Sequence, residues 1–317
     1  MRLTRIFTLL SLSIGTLAAC GGSDAKTPDA AVKDVGFNKP MKGLVANMET
    51  NGTWMPIGPA DLSCLNTPSS DVATTVAVTL NTVVKDFQSG NPVPGATVTA
   101  FKDIMVDAPF DTETSDATNA YATFTIPTGV KRFGFKMTTT DGQTMPTFLL
   151  NQYVDPSMAV QPPGSDTDKT KSMKIQSVSS STADTLPALI GETRGPMTGV
   201  IAGALRDCQH HEISNFVATV SSTQGTATPL AGAEAYYFSA GVELPVRHSN
   251  TGGEASSADG LFMVIQLPAA PSAYVQMWGY ASDADATAGG DMKLIAELQV
   301  PVLADTVITG SYEPLRQ

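Results

Sequence analysis

Gly90-Asn-Pro-Val-Pro-Gly-Ala-Thr-Val-Thr-Ala-Phe101 reads as a turn feeding a strand, and the chain repeats it. The echo, Ala227-Thr-Pro-Leu-Ala-Gly-Ala-Glu-Ala-Tyr-Tyr-Phe238, matches without a gap at Pro92/Pro229, Gly95/Gly232, Ala96/Ala233 and Phe101/Phe238. Proline presets the φ of the turn, and glycine opens a backbone conformation closed to bulkier residues. β-Branched and aromatic side chains then carry the strand. A turn and strand repeated at that distance predict two copies of one β domain.

Strand patterns extend outward from the first copy. Val76-Ala-Val-Thr-Leu-Asn-Thr-Val-Val-Lys-Asp86 precedes the turn, and a loop over 103–116 follows the strand. Thr118-Asn-Ala-Tyr-Ala-Thr-Phe-Thr-Ile-Pro127 puts Ala120, Ala122, Phe124 and Ile126 on one face, and Lys131-Arg-Phe-Gly-Phe-Lys-Met137 does the same with Phe133, Phe135 and Met137. Residues 147–154 and 169–178 are further strands. Ser179-Ser-Ser-Thr-Ala-Asp-Thr-Leu-Pro-Ala-Leu-Ile-Gly191 is the helix candidate, capped by Ser or Thr, striped by Leu186, Leu189 and Ile190 and closed by Gly191. Proline is best tolerated in a first helical turn, so Pro187 is expected there.

The second copy opens at Gly199-Val-Ile-Ala-Gly-Ala-Leu-Arg-Asp207, where Leu205-Arg-Asp207 echoes Val84-Lys-Asp86. Sixteen extra residues separate this strand from its turn and contain a strand-like run over 213–220. Ala258-Asp-Gly-Leu-Phe-Met-Val-Ile-Gln-Leu-Pro268 parallels 118–127, setting Asn119 against Gly260 as residues tolerant of positive φ. Residues 273–280, 292–301 and 302–311 complete the strands.

A strand ending in Asp, then Pro-x-x-Gly-Ala, then Asp259-Gly260-Leu-Phe262 and Leu267-Pro268, resembles the carboxypeptidase regulatory-like module. The first copy departs from it, with Thr118-Asn119-Ala120-Tyr121 where Asp-Gly would stand. The resemblance implies an all-β chain of two tandem prealbumin-like or Ig-like antiparallel sandwiches with a short linker helix. In that family the module supports or interacts, and none of the matching motifs is catalytic.

Composition fits this reading. The 317 residues exceed one ordinary domain, and 42% hydrophobic content supports real cores, with only 15% charged and 7% aromatic residues. A formal net charge of −11 on 19 basic residues argues against nucleic acid, whose phosphates require a basic patch.

Met1-Arg-Leu-Thr-Arg5 is a basic start, followed by a mostly apolar run and then Leu17-Ala-Ala-Cys20-Gly-Gly. The run is too short to span a bilayer and has the layout of a secretory signal. Its end resembles the bacterial lipoprotein lipobox, which implies cleavage after Ala19 and acylation of Cys20. The protein would then sit on a lipid bilayer in the cell envelope, with Gly21 favouring the outer membrane by analogy. Polysaccharide or another envelope protein is the further partner class.

Two thiols remain, Cys64 and Cys208, and in an oxidising compartment they are most simply a disulfide. The alternative is metal at Cys208-Gln-His210-His211-Glu212, but adjacent histidines on an extended segment face opposite ways and no second spaced pair appears. No metal or cofactor is therefore expected.

The boundaries that result are 1–19 signal peptide, 20–47 lipidated tether, 48–70 pre-domain segment and 71–178 first sandwich. A linker with the helix follows over 179–198, and the second sandwich takes 199–317. Trp54 in the pre-domain segment reads as a plug packed on a domain.

Catalytic readings find little material. A transthyretin-like hydrolase needs a C-terminal Tyr-Arg-Gly-Ser, and an intradiol dioxygenase needs two Tyr and two His around iron. This chain ends Ser311-Tyr-Glu-Pro-Leu-Arg-Gln317 and holds three histidines, one of them His248. The run 282–291 approaches a calcium loop but has Ala288 where the turn glycine belongs and Leu294 where the bidentate glutamate belongs. It therefore reads as a solvated acidic hairpin loop, with a weak calcium site in a sandwich loop as the alternative. Candidate ligand-stacking aromatics are Tyr236, Tyr237, Trp278 and Tyr280. Loops 102–117, 155–168, 208–228 and 281–291, where the copies differ, are the places for any activity.

Overall fold

The computed structural model describes residues 40–153, 173–241, 244–246 and 255–316. The signal, Cys20 with the start of the tether, His248 and the loop 155–168 lie outside them. The described residues fall within one compact unit.

The first half contributes β3 (Val78–Asp86), β4 (Thr97–Lys102), β5 (Pro109–Thr114), β6 (Tyr121–Ile126), β7 (Arg132–Thr138), β8 (Thr144–Met145), β9 (Thr147–Tyr153) and β10 (Met173–Ser179). One layer is the sheet β6-β3-β10-β8, and the other is the run β9-β7-β4-β5. The predicted inward faces meet between them: Phe124 and Ile126 of β6 pack with Phe133, Phe135 and Met137 of β7, Val98 and Ala100 of β4 and Ile175 of β10. Phe124 and Phe133 each approach Phe135, at centroid distances of 5.0 and 5.3 Å. The stretch 103–116, expected to be loop, contains β5. Its residues are mostly polar and largely exposed, so no alternation marks it, and among the described residues it pairs only with β4.

The second half contributes β11 (Thr198–Leu205), β12 (Glu212–Ser214), β13 (Val217–Ser221), β14 (Glu234–Ser239), β15 (Leu244–Val246), β16 (Leu261–Pro268), β17 (Ala270–Gly279), β18 (Lys293–Val302) and β19 (Val307–Tyr312). The run β15-β14-β16-β11-β19 faces the sheet β13-β17-β18 over a core that includes Phe216, Tyr237, Phe262, Val275, Ile295 and Tyr312. β19 pairs in parallel with β9, so the two halves share one nine-stranded sheet. Gly203 and Gly310 make room for the Tyr312 ring: a Cβ on Gly203 would lie 2.5 Å from that ring and 2.5 Å from the Gly310 carbonyl.

The halves repeat each other in pairing. β3 pairs antiparallel with β6 and parallel with β10, and β11 pairs antiparallel with β16 and parallel with β19. Across each sandwich, β4–β7–β9 corresponds to β13–β17–β18. The sequence phrase does not follow this equivalence. Its first occurrence links β3 to β4 and its second links β13 to β14, one strand later, because the sixteen extra residues contain the whole of β13. The local geometry is nonetheless the same. Pro92 bridges Lys85 and Pro229 bridges Ser221; Val93 N–H donates to Val84 and Leu230 N–H to Val220; Gly95 and Gly232 have φ of 72° and 82°. Each copy carries the chain from one sheet to the other. The positive φ expected at Asn119 falls on Ala120, at 58°, which matches Gly260 at 64°. Asp116 accounts for this shift, because its carboxylate accepts from the N–H groups of Thr118, Asn119 and Tyr121 and fixes the turn.

The predicted helix forms as α1 (Ser180–Leu189), with Ser179 Oγ accepting from Thr182 N–H as N-cap. Two details differ from expectation. Pro187 sits in the last turn, where its missing N–H removes one intrahelical bond and leaves the turns before it intact. The buried face is Thr182, Ala183, Pro187 and Ile190 with Leu186 beside them, whereas Leu189 is exposed. This face covers the outer surface of the shared sheet with Val200, Tyr236, Phe238, Met263, Ile265 and Val307. β16 is thus buried on both sides, which explains its unbroken apolar run.

Candidate functional site

Among the described residues, a set of specific polar contacts joins residues 43–67 to the second half. β1 (Val45–Thr50) and β2 (Thr53–Pro59) form a hairpin turned at Asn51 and Gly52, both at positive φ. β1 adds to β12 through Val45, Ala46 and Asn47. The last residues of the expected tether are therefore part of the fold.

Gly43 lies where a Cβ would come within 2.4 Å of the Ser282 backbone, so only glycine fits that approach. Its N–H donates to Asp283 Oδ1 at 2.8 Å, and its carbonyl accepts from Asn215 Nδ2 at 2.8 Å. Leu44 is buried over Gly279 and donates its N–H to the Tyr280 carbonyl. Buried Asn47 donates from Nδ2 to the Glu212 carbonyl and to Ser214 Oγ. The run 282–291, expected as an acidic hairpin loop, contains the short helix α2 (Asp283–Ala288), capped by Ser282 and closed by Gly289 at φ 66°. Asp283 and Asp285 occupy its first turn, where acidic residues suit the helix dipole.

Farther along, Cys64 and Cys208 form the expected disulfide, with Cα atoms 5.8 Å apart and a sequence separation of 144. Beside it the carboxylate of buried Asp207 accepts three backbone N–H groups: Asp61 at 3.1 Å, Gln209 at 2.9 Å and His211 at 2.9 Å. The Cys208 N–H donates to the Asp61 carbonyl, and Asn66 N–H donates to Leu315. The Asp61 carboxylate is held below its ordinary range by the Ser63 N–H and by Gln209. With Cys208 in a disulfide its sulfur is no free metal ligand, and among the described residues no three His, Cys, Asp or Glu side chains form a metal-holding group. His211 lies 3.5 Å from Asp207 Oδ1 through Nδ1.

The aromatic candidates do not form a stacking platform. Tyr236, Tyr237 and Tyr280 are buried and Trp278 is half-buried. Tyr237 belongs to the sandwich core and accepts the Ala218 N–H, Tyr236 lies under α1 and donates to Glu234, and Tyr280 donates to the Gly290 carbonyl. Consecutive tyrosines on a strand point to opposite faces, and both faces of this sheet are covered. Among the candidate loops, 208–228 holds β12, β13 and the disulfide, so part of it is scaffold.

Burial, together with Glu234, raises the Tyr236 phenol far above its ordinary value, and burial alone raises that of Tyr312. A raised folded value stabilises the fold below the unfolded value of 10.0, and that contribution is lost as pH rises beyond it. In an alkaline titration followed by tyrosinate absorbance, these two of the seven tyrosines are expected to ionise only as the chain unfolds. Complete ionisation with retained fold would contradict their burial.

No protein-family model and no curated protein matches the chain. Among solved structures, a point mutant of the shaft pilin SpaA of Lactobacillus rhamnosus GG is similar over 76% of this chain and 98% of its own, at 8% identity and a TM-score of 0.23. A point mutant of the major pilin of Streptococcus pyogenes is similar over 75% and 99%, at 11% identity and a TM-score of 0.18. At those scores the likeness carries no argument about fold or role. The all-β sandwich architecture rests on the strands themselves. No described helix is long and apolar enough to cross a membrane.

Proposed function

We propose that this chain is a lipid-anchored, non-catalytic module of the bacterial cell envelope, acting as a structural or interaction body held to the membrane through acylated Cys20. The observation that carries this reading is how the anchor-proximal chain is fixed. Residues 43–66 are joined to the second half by strand addition, by Asp207 and by the Cys64–Cys208 disulfide. The second half is joined in turn to the first through the shared sheet. Such a chain passes a pull on its N-terminus into hydrogen-bonded strands and a covalent link. A disulfide also suits an oxidising compartment outside the cytoplasm.

The test is metabolic labelling of bacteria with an alkyne fatty acid, followed by mass analysis of the N-terminal peptide. Labelled Cys20 in the membrane fraction is expected, with no label and a shift to the soluble fraction in Cys20→Ser. An unlabelled wild-type chain with an intact signal would overturn the anchor.

A further inference from the structure

The β1–β2 hairpin carries a concentration of exposed apolar side chains that the fold does not use. Met48, Met55 and Ile57 of the hairpin are 46, 54 and 46% exposed, Met41 ahead of β1 is 81% exposed, and Trp54 is half-buried. Beyond Asn47 the two strands pair only with each other among the described residues, so the hairpin projects from the sheet. Met48 stands directly opposite Met55, which places both on one face. Ile57 is the extra residue of the bulge opposite Ala46 and Asn47.

We infer that this hairpin is a second membrane contact, Met48, Met55 and Ile57 docking into the interfacial layer of the bilayer that holds Cys20. Trp54 is next to Met55 but on the opposite face. The inference rests on the anchoring reading above and deepens it. Three features favour a lipid surface over another occupant. The first is continuity: 41 − 20 − 1 = 20 residues separate Cys20 from Met41. Even fully extended, that chain spans no more than about 70 Å, so the anchor keeps the hairpin within that reach of the bilayer. The second is charge. Residues 41–60 contain one base, Lys42, and one acid, Glu49, for a net of zero, on a chain whose overall charge is −11. The hairpin is thus a neutral patch on a protein that anionic headgroups would otherwise repel. The third is chemistry: methionine adapts to irregular apolar surroundings such as the acyl-chain boundary of a bilayer. Pairing of β2 with a strand of a second copy is disfavoured, because Pro56 and Pro59 remove donors from that edge.

The test uses the full chain, purified from membranes and reconstituted in phosphatidylethanolamine–phosphatidylglycerol vesicles containing a bromine-labelled phospholipid. Trp278→Phe leaves Trp54 as the sole tryptophan, since the chain has two. Trp54 emission is expected to fall measurably, as for an indole one residue from a docked face. The loss should disappear in Met48→Ser/Met55→Ser/Ile57→Ser, whose exposed positions leave the fold intact. Comparing that triple variant with the unsubstituted chain reads the same difference should Trp278→Phe misfold. The mass of the Cys20 peptide, measured on the same sample, reports the anchor separately. Unquenched emission on vesicles that retain an acylated chain would overturn the docking and leave the anchor standing. Quenching without acyl mass would uphold the docking and sink the anchor. A dimer in sedimentation without vesicles, with Trp54 emission unchanged on adding them, would assign the patch to a second copy and overturn the inference.

Discussion

Replacing both Cys64 and Cys208 with alanine is expected to lower the unfolding free energy by about 5 kcal/mol on the chain-entropy model, read as a lower denaturant midpoint. The size follows from the sequence separation of 144. The closed loop takes in the whole first sandwich, α1 and the start of the second half, so the unfolded chain gains much freedom when the link is cut. A domain has only about 5–15 kcal/mol to lose, so the variant should be near the limit of folding at physiological temperature. The backbone bonds beside the link, Cys208 N–H to Asp61 and Asn66 N–H to Leu315, need no sulfur and should keep residues 61–66 near their place at low denaturant. Equal midpoints with and without reductant would refute the prediction. So would two free thiols in the exported protein under non-reducing conditions.

The link was legible because it needed only a count: with Cys20 assigned to lipid, two cysteines remain. The inward faces of β6 and β7 were legible because both alternate cleanly over a one-sided core. The turn phrase was legible as local geometry but misleading as topology. Pro92–Gly95 and Pro229–Gly232 specify how a chain leaves one sheet for the other, and nothing in those residues says which strand comes next. Only pairing over long separations settles that, and it places β14 one strand later than β4. β1 and β2 escaped notice because the hairpin is largely exposed, so burial imposes no alternation on it. The Gly43 seat was hidden for a related reason. Its glycine is required by a close approach to Ser282, 239 positions away (282 − 43), and no local pattern records such a contact. Tyr236 and Tyr237 are unavailable for stacking because a strand that is covered on both faces has no outward side to offer.

Asp207→Ala is expected to cost about 3 kcal/mol, at the lower end for three backbone donors losing their acceptor, because Gln209 is exposed and water can reach part of the turn. Asp207 holds the N–H groups of Asp61, Gln209 and His211 with one buried carboxylate, so a single substitution orphans all three. Asp207→Asn keeps one acceptor oxygen but turns an amide N–H₂ toward a donor, so it should fall between the wild type and alanine. Asp207→Ser, too short to reach across the turn, should behave like alanine. The residue also tests whether the clamp is one unit. Asp207 fixes Asp61 from one side, and the neighbouring Cys208 fixes Cys64 three residues farther on. Groups that hold the same peptide to the same turn should be coupled, and a double-mutant cycle of Asp207→Ala with the paired cysteine replacement should depart from additivity by more than about 0.5 kcal/mol. Once the disulfide is gone, residues 61–66 are held by hydrogen bonds alone and open more readily than the rest of the fold, so Asp207 then has less left to hold. The sign follows: the alanine substitution should cost less in the disulfide-free background than in the oxidised protein. Additive losses would mean that Asp207 stabilises only its own 207–211 turn, and that the anchor-proximal chain is held by the disulfide and β1 without it.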